Sequence, residues 1–239
     1  MRGVTDYLRI YDEHADAYDA LVAAEDCDQH LLPALEAVAP LAEAAVLEAG
    51  VGTGRVTRLI AGRARRIVGF DRSAAMLARA RANLAGVAGR CDLELFVADA
   101  REPLAIDAGW ADVAVAGWVF GHLRHWMPDG WREAVGFALD QMERALSPGG
   151  ALIVIETLGT GSEEPRPPND DLAEYYAWLE GERGFARSAI RTDYLFDDVD
   201  TAAKTTGFFF GDDFARRVRA EGWRRVPECT GIWSRRRDA

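Results

Sequence analysis

The stretch Val46-Leu47-Glu48-Ala49-Gly50-Val51-Gly52-Thr53-Gly54-Arg55-Val56-Thr57 constrains this chain more than any other. An apolar run ends in an acid, glycines follow at alternate positions, and a helical pattern resumes through Thr57, Leu59, Ile60 and Ala61. That order reads as a buried strand, a tight turn and a helix N-terminus. Glycine tolerates positive φ and lets a ligand reach bare backbone, and the helix behind it aims free N–H groups and its positive dipole end at that ligand.

The spacing selects among nucleotide sites. The dinucleotide fingerprint G-x-G-x-x-G/A would place Arg55 at its third position, where a small residue is needed for close helix packing. The glycines are followed by a second apolar run, Arg66-Ile67-Val68-Gly69-Phe70-Asp71, which also ends in an acid, and Ser73 is placed to cap the next helix. An acid at such a strand edge can accept hydrogen bonds from both hydroxyls of a ribose. A third strand, Leu93 to Val97, runs into Ala98-Asp99-Ala100. A fourth, Ala111 to Ala116, leads into Gly117-Trp118-Val119-Phe120-Gly121-His122-Leu123-Arg124-His125-Trp126. After a helix from Trp131 to Leu146, Ser147-Pro148-Gly149-Gly150 turns the chain into strand five, Ala151 to Glu156. Upstream, Tyr11 and Tyr18 stand seven residues apart in Tyr11-Asp12-Glu13-His14-Ala15-Asp16-Ala17-Tyr18-Asp19, on one face of a helix. They either pack that helix onto the sheet or face a ligand. Leu31 to Val38 reads as a second helix.

Taken together, residues 7–158 resemble the class I S-adenosylmethionine (SAM)-dependent methyltransferases, in particular those acting on small molecules. The resemblance rests on Y-x6-Y-D at Tyr11, on Glu48 with Gly50, Gly52 and Gly54, on Asp71, on Asp99 and on the Leu146-x-Pro148-Gly149-Gly150 turn. It implies an α/β fold: a doubly wound, Rossmann-like, mostly parallel seven-stranded sheet with SAM across the C-terminal strand edges. It further implies that Tyr11 and Tyr18 close over the methionine end, that Asp71 holds the ribose, and that Met76 lies against the adenine. Asp99 would meet the adenine amino group and the backbone at Ala100 a ring nitrogen. Glu48, Gly50, Gly52, Gly54, Arg72 and Gly117 complete the expected cofactor set, and S-adenosylhomocysteine (SAH) is the implied product. Methyl transfer is an in-line displacement, so the protein must align the partners, exclude water and remove a proton where needed.

Past Glu156 the resemblance fades. Gly159 to Asn169 reads as a loop, Leu172 to Glu180 as an aromatic helix, and Ile190 to Phe196 as a strand. A helix near Val199 to Thr206, Phe208-Phe209-Phe210, a helix from Asp212 to Glu221 and a final return to the sheet follow. Residues 1–239 are expected to be one domain, with residues 159–207 inserted as a substrate cap. His122, with an ordinary pKa of about 6.5, is a candidate general base, and Glu156 a candidate for orienting the acceptor. Trp118, His125, Trp126, Tyr175, Tyr176, Arg191 and Tyr194 are the expected acceptor walls, which suit a planar or largely apolar small molecule.

Lys and Arg total 28 against 39 Asp and Glu, and the net charge of −11 argues against nucleic acid and anionic membranes. Cys27, Cys91 and Cys229 are scattered and odd in number, which suggests no disulfide framework and no zinc site. No metal is expected. The lack of a signal peptide or transmembrane run points to a cytoplasmic enzyme, as monomer or homodimer. A noncatalytic SAM-binding protein is the alternative reading, and a nicotinamide-dependent oxidoreductase a weaker one.

Overall fold

The computed structural model describes residues 7–87 and 90–238. Strand β1 (Ala45–Ala49) pairs in parallel with β2 (Arg66–Asp71) on one side and β4 (Ala111–Gly117) on the other. β3 (Asp92–Val97) lies outside β2 and β5 (Leu146–Thr160) outside β4, both parallel. β9 (Glu228–Arg236) then enters antiparallel between β5 and β6 (Ala186–Arg191), which completes the order β3-β2-β1-β4-β5-β9-β6. This is the expected seven-stranded, mostly parallel sheet.

Successive residues of a strand point to opposite faces, and the two cores follow that rule. Val46, Ile67, Val113, Ile153 and Ile232 meet Leu31 and Leu35 of α3 (Leu31–Val38) and Val56 and Ile60 of α4 (Arg55–Ile60) on one face. Their neighbours Leu47, Val68, Ala114, Leu152 and Trp233 meet Val135, Leu139 and Met142 of α7 (Trp131–Ala145) on the other. Strands covered on both sides must be apolar throughout, and β1 is buried at every position. Strand order reverses between β1 and β4, and ligands of open α/β sheets sit at the carboxyl edge of such a point.

Several boundaries differ from the expectation. The paired tyrosines lie on two helices, α1 (Tyr7–Glu13) and α2 (Ala15–Ala23), broken at His14. The Tyr11 carbonyl there accepts a hydrogen bond from Ser73 Oγ at 3.1 Å. Tyr11 and Tyr18 still meet edge to face, with ring centres 5.3 Å apart. The strand expected over Ile190 to Phe196 splits into β6 and the short β7 (Tyr194–Leu195). The splitting residue is Asp193, whose carboxylate draws in Arg191 Nε, Arg225 Nε and the Glu228 N–H at 2.9, 2.7 and 3.0 Å.

Residues 159–207 are not one cap. Residues 159 and 160 continue β5, α8 (Asp170–Gly181) buries Tyr175, Tyr176 and Leu179 in the main core, and β6 is the sheet's edge strand. The separate small core lies later. There α9 (Val199–Phe210) and α10 (Asp212–Ala220) pack Ala202, Ala203, Ala215 and Val218 against the ribbon of β7 and β8 (Arg225–Val226) and against Leu21 of α2. Phe208, Phe209 and Phe210 close α9 instead of following it. Among the described residues no helix is long and apolar enough to cross a membrane.

Gly231 sits on β9 where an added Cβ would lie 2.4 Å from the Trp233 ring and 2.9 Å from Leu158 Cδ1. Trp233 is wedged against Tyr176 at 4.4 Å between ring centres, so it has nowhere to retreat. Gly231→Ala should therefore destabilise the protein by about 1–3 kcal/mol, the usual cost of overpacking. Urea unfolding measures this, and an unchanged midpoint would mean the indole has room to move.

Candidate functional site

A cleft opens at the carboxyl edge of β1, β2 and β4. Its walls include Gly50, Gly52, Asp71, Arg72, Met76, Asp99, Ala100 and Gly117, with Tyr11 and Tyr18 across the mouth. Ten of the twelve expected cofactor residues thus converge on one space. The three turn glycines have φ of +70°, +56° and +86°, but they serve different ends. A Cβ on Gly50 would stand 2.2 Å from Val119 Cγ2, so that glycine is demanded by packing. A Cβ on Gly52 would meet nothing within 4 Å, so its bare backbone faces open space. Gly54 is the left-handed residue that starts α4, beside Leu84, and does not line the cleft.

Asp71 ties the turn to β2. Its Oδ2 accepts from the Gly52 N–H at 2.8 Å and its Oδ1 from the Ser73 N–H at 2.9 Å. Burial raises the pKa of this carboxyl, and those two N–H donors pull it back. Ser73 caps α5 (Ala74–Asn83), its Oγ accepting from the Met76 N–H at 3.3 Å, which fixes Met76 in the cleft floor. Asp99 already has a partner: Arg101 donates Nε to Oδ1 at 2.9 Å and Nη2 to Oδ2 at 2.6 Å, holding the carboxyl below its ordinary pKa.

Glu48 corrects the expectation. It lies below the cleft, takes Thr57 Oγ1 at 2.8 Å and thereby braces β1 against α4, and burial pushes its pKa up to about 8. Beyond the expected set, Asp12, Phe70, Ser73, Ala98, Arg101, Val119 and Leu123 also line the cleft.

Beside the cleft lies a second cavity of about 710 Å³, within the range typical of small-molecule sites. Trp118, His122, His125, Glu156 and Tyr194 line it as expected. Trp118 and His122 also wall the cleft, so the two spaces share a boundary. Trp118 holds φ at +55°, a conformation rare outside glycine. The Arg55 guanidinium lies over its ring at 4.0 Å. Arg55 Nη1 also binds Glu25 Oε2 at 2.7 Å in a nearly solvent-free ion pair.

His122 sits on α6 (Phe120–Trp126), hydrogen-bonded through Nε2 to the Tyr11 hydroxyl at 2.8 Å and stacked on Trp126 at 5.3 Å. Burial, helped by His125, pushes its pKa down to about 4, well below the ordinary value that suggested a base. Glu156 is almost wholly buried at the base of the cavity. Its Oε1 accepts the Phe120 and Gly121 N–H groups at 3.1 and 2.9 Å, while burial carries its pKa up to about 8.

Four expected acceptor residues do not line this cavity. Tyr175 packs edge-on against Trp131 at 5.8 Å, and Tyr176 donates its hydroxyl to the Thr157 carbonyl at 2.6 Å, because the aromatic face of α8 turns to the sheet and α7. Arg191 is held by Asp193. Trp126 belongs to the cleft, with Arg72 5.9 Å above its ring. Glu25, Arg55 and Glu228 take their place, together with Phe209 and Phe210. Arg55 entered the sequence reading only as a misfit in a glycine pattern, and the acids at Glu25 and Glu228 gave no signal beyond standing near apolar runs. Among the described residues no group of three or more His, Cys, Asp and Glu is arranged to hold a metal.

This geometry is that of an α/β protein with a cleft at the switch point of its sheet. Residues 46–150 match the family model described as a methyltransferase domain. That stretch contains the glycine turn, Asp71 and Asp99, and it is similar to a methyltransferase domain over 105 of the 239 residues.

Solved structures agree on the fold. A phosphoethanolamine N-methyltransferase of Haemonchus contortus, in complex with phosphomonomethylethanolamine and SAH, aligns at a TM-score of 0.61 and 16% identity, over 98% of this chain and 59% of that one. The (4+2)-cyclase SpnF aligns at 0.60 and 17%, over 98% and 97%. The YcgJ protein of Bacillus subtilis aligns at 0.58 and 13%, over 88% and 98%. At such identities the likeness establishes the fold, which hosts more than one chemistry. Comparison with curated protein sequences gives no match.

The contrast between the glycines is measurable. Gly52→Ala should cost about 1–2 kcal/mol of stability for its left-handed backbone yet fold, and it should lose SAH affinity because its methyl enters the cleft. Gly50→Ala should lose more stability, having the Val119 clash in addition. A Gly52→Ala protein with normal SAH titration would place the ligand elsewhere.

The buried acids predict a pH response. Glu48 and Glu156 keep their protons up to about pH 8 when folded, and release them near ordinary carboxylate values when unfolded. The folded chain thus binds more protons in between, and stability falls as pH rises. His122 works the other way only at lower pH, its folded value being about 4. The urea midpoint should decline from about pH 7 through about 8, and Glu48→Gln should make the decline shallower. A midpoint that climbs over this window would contradict the assignment.

Proposed function

We propose that the protein methylates a small molecule, with SAM held in the cleft and the acceptor in the adjoining cavity. The observation that carries this reading is the boundary the two spaces share at Trp118 and His122. SAM would be held by the open backbone at Gly52, by Asp71 at its ribose, by Met76 and Asp99 at its adenine, and by Tyr11 and Tyr18 at its methionine end. When bound, SAM supplies an electrophilic methyl on a sulfonium.

The chain's own contribution is alignment and exclusion of water. Trp118, fixed by Arg55, forms a rigid wall at the crossing. His122, neutral at physiological pH and tied to Tyr11, positions the acceptor. Glu156, held by the start of α6, orients the acceptor from the cavity base. The chain acts as one catalytic unit in which the small core of α9, α10 and the β7–β8 ribbon roofs the acceptor, in place of the earlier-bounded cap. Its acidity, −11 overall, supports a free cytoplasmic enzyme with a small acceptor rather than a nucleic-acid partner.

Calorimetric titration tests the first half. SAM and SAH should bind, NAD should not, and Asp71→Asn should weaken SAH roughly tenfold, the effect of losing a charge-assisted hydrogen bond. For the second half, SAM labelled at its methyl group is incubated with the protein and a fractionated cell extract. Label should appear in the small-molecule fraction and depend on His122; label in protein or RNA would sink the small-molecule assignment.

A further inference from the structure

The charges around the acceptor cavity do not balance. Its acids are Glu25, Glu156, Asp171 and Glu228. Glu25 is answered by Arg55, and Asp171, on the exposed rim, by Arg124 at 2.8 Å. Of the remaining cations, Arg166 is at the exposed rim, and Arg217 donates to the Gly161 carbonyl at 2.8 Å while lying over Trp223. His125 is exposed, and burial keeps His122 neutral.

Glu156 and Glu228 are left, 3% and 1% exposed and hydrogen-bonded to neutral donors only, while Arg55, already paired with Glu25, acts on Glu228 without an ion pair to it. Glu156 takes two backbone N–H groups on Oε1. Glu228 takes the Thr157 hydroxyl on Oε1 at 2.6 Å, and its buried Oε2 has no hydrogen-bond partner. Buried polar atoms are nearly always satisfied, so an orphaned carboxyl oxygen in a cavity wall calls for a donor from outside the chain.

Resting on the methyl-transfer reading above, we infer that the acceptor carries a protonated amine, held in the cavity by the carboxyls of Glu228 and Glu156. An ammonium offers three N–H donors and no acceptor, the complement of two carboxyls that have no ion-pair partner of their own. The aromatic walls at Phe209, Phe210 and Trp118 suit the same ligand, since ring faces attract cations as well as covering carbon. The empty cavity avoids burying two bare charges because burial raises the pKa of both carboxyls. On binding, one carboxyl ionises against the ammonium, and its proton leaves to the buffer. The amine is the anchor; the atom that receives the methyl lies at the other end, by Trp118 and His122. A pocket so built rejects carboxylates and tolerates alcohols poorly.

Calorimetry on the SAH-saturated protein tests this with phenethylamine, phenethyl alcohol and phenylacetate, which share a ring and differ in charge. The amine should bind at least roughly tenfold tighter than the alcohol, as charge-assisted hydrogen bonds exceed neutral ones, and phenylacetate should not bind. Titrations in buffers of different ionisation enthalpy should show a proton released for each amine bound. Glu228→Gln should erase the preference for the amine while leaving SAH affinity unchanged, and Glu156→Gln should reduce it.

Equal or tighter binding of the alcohol, no amine binding at millimolar concentration, or a preference untouched by both substitutions overturns the proposal. The wild-type proton count stands even if a variant misfolds: no release overturns it as well. Failure of SAH to bind the wild-type protein strikes the methyl-transfer reading instead, and the amine comparison is then read without SAH.

Discussion

The hydrogen bond from the Gly52 N–H to Asp71 is the contact on which the site depends. The N–H groups of Gly50 and Val51 reach sideways to the Phe70 carbonyl at 2.8 and 3.1 Å, and Gly52 completes the row. The turn after β1 is thus bonded to the end of β2 as well as to itself, the latter through the Gly54 N–H and the Val51 carbonyl at 2.9 Å. Gly50, Gly52 and Gly54 adopt positive φ within it, a conformation that favours glycine, and Gly52 turns bare backbone toward the cleft. Asp71 is consequently both a buckle for the turn and the nearest carboxylate to any ligand lying across it. Arg55, one residue past the turn, carries the arrangement onward to Trp118 and Glu25.

The strands and turn around the cleft were legible in the sequence because local rules decide them. Apolar runs ending in acids marked β1, β2 and β3 to within a residue, and Ser73 announced the cap it makes. Gly52 and Asp71 followed from the same pattern. Glu48 was misread for a physical reason: an acid beside glycines can face a ligand or brace a helix, and only the Thr57 hydroxyl decides between them.

The acceptor half was not legible, because long-range packing decides it. Tyr175 and Tyr176 looked like pocket walls, yet helical phase places them against Trp131 and Trp233 in the main core. The residues that do form the cavity come from α2, α4, α6, β5, α8, β7, α9, α10, β9 and the loops between them, and no spacing in one dimension announces that Glu25, Arg55 and Glu228 converge. Burial changes their meaning, since a carboxyl in a dry wall must keep its proton or find a cation.

β9 has a consequence for how specificity is assembled. Every described residue of the cleft lies at or before Trp126, whereas the acceptor cavity is complete only when Glu228 takes its place near the start of the last strand. The cleft is thus drawn wholly from the first part of the chain, whereas the cavity adds to residues of that part, such as Tyr18, Arg55 and Trp118, others from the closing third. Sequence drift in that closing third can therefore reshape the cavity while every residue that lines the cleft stays as it was.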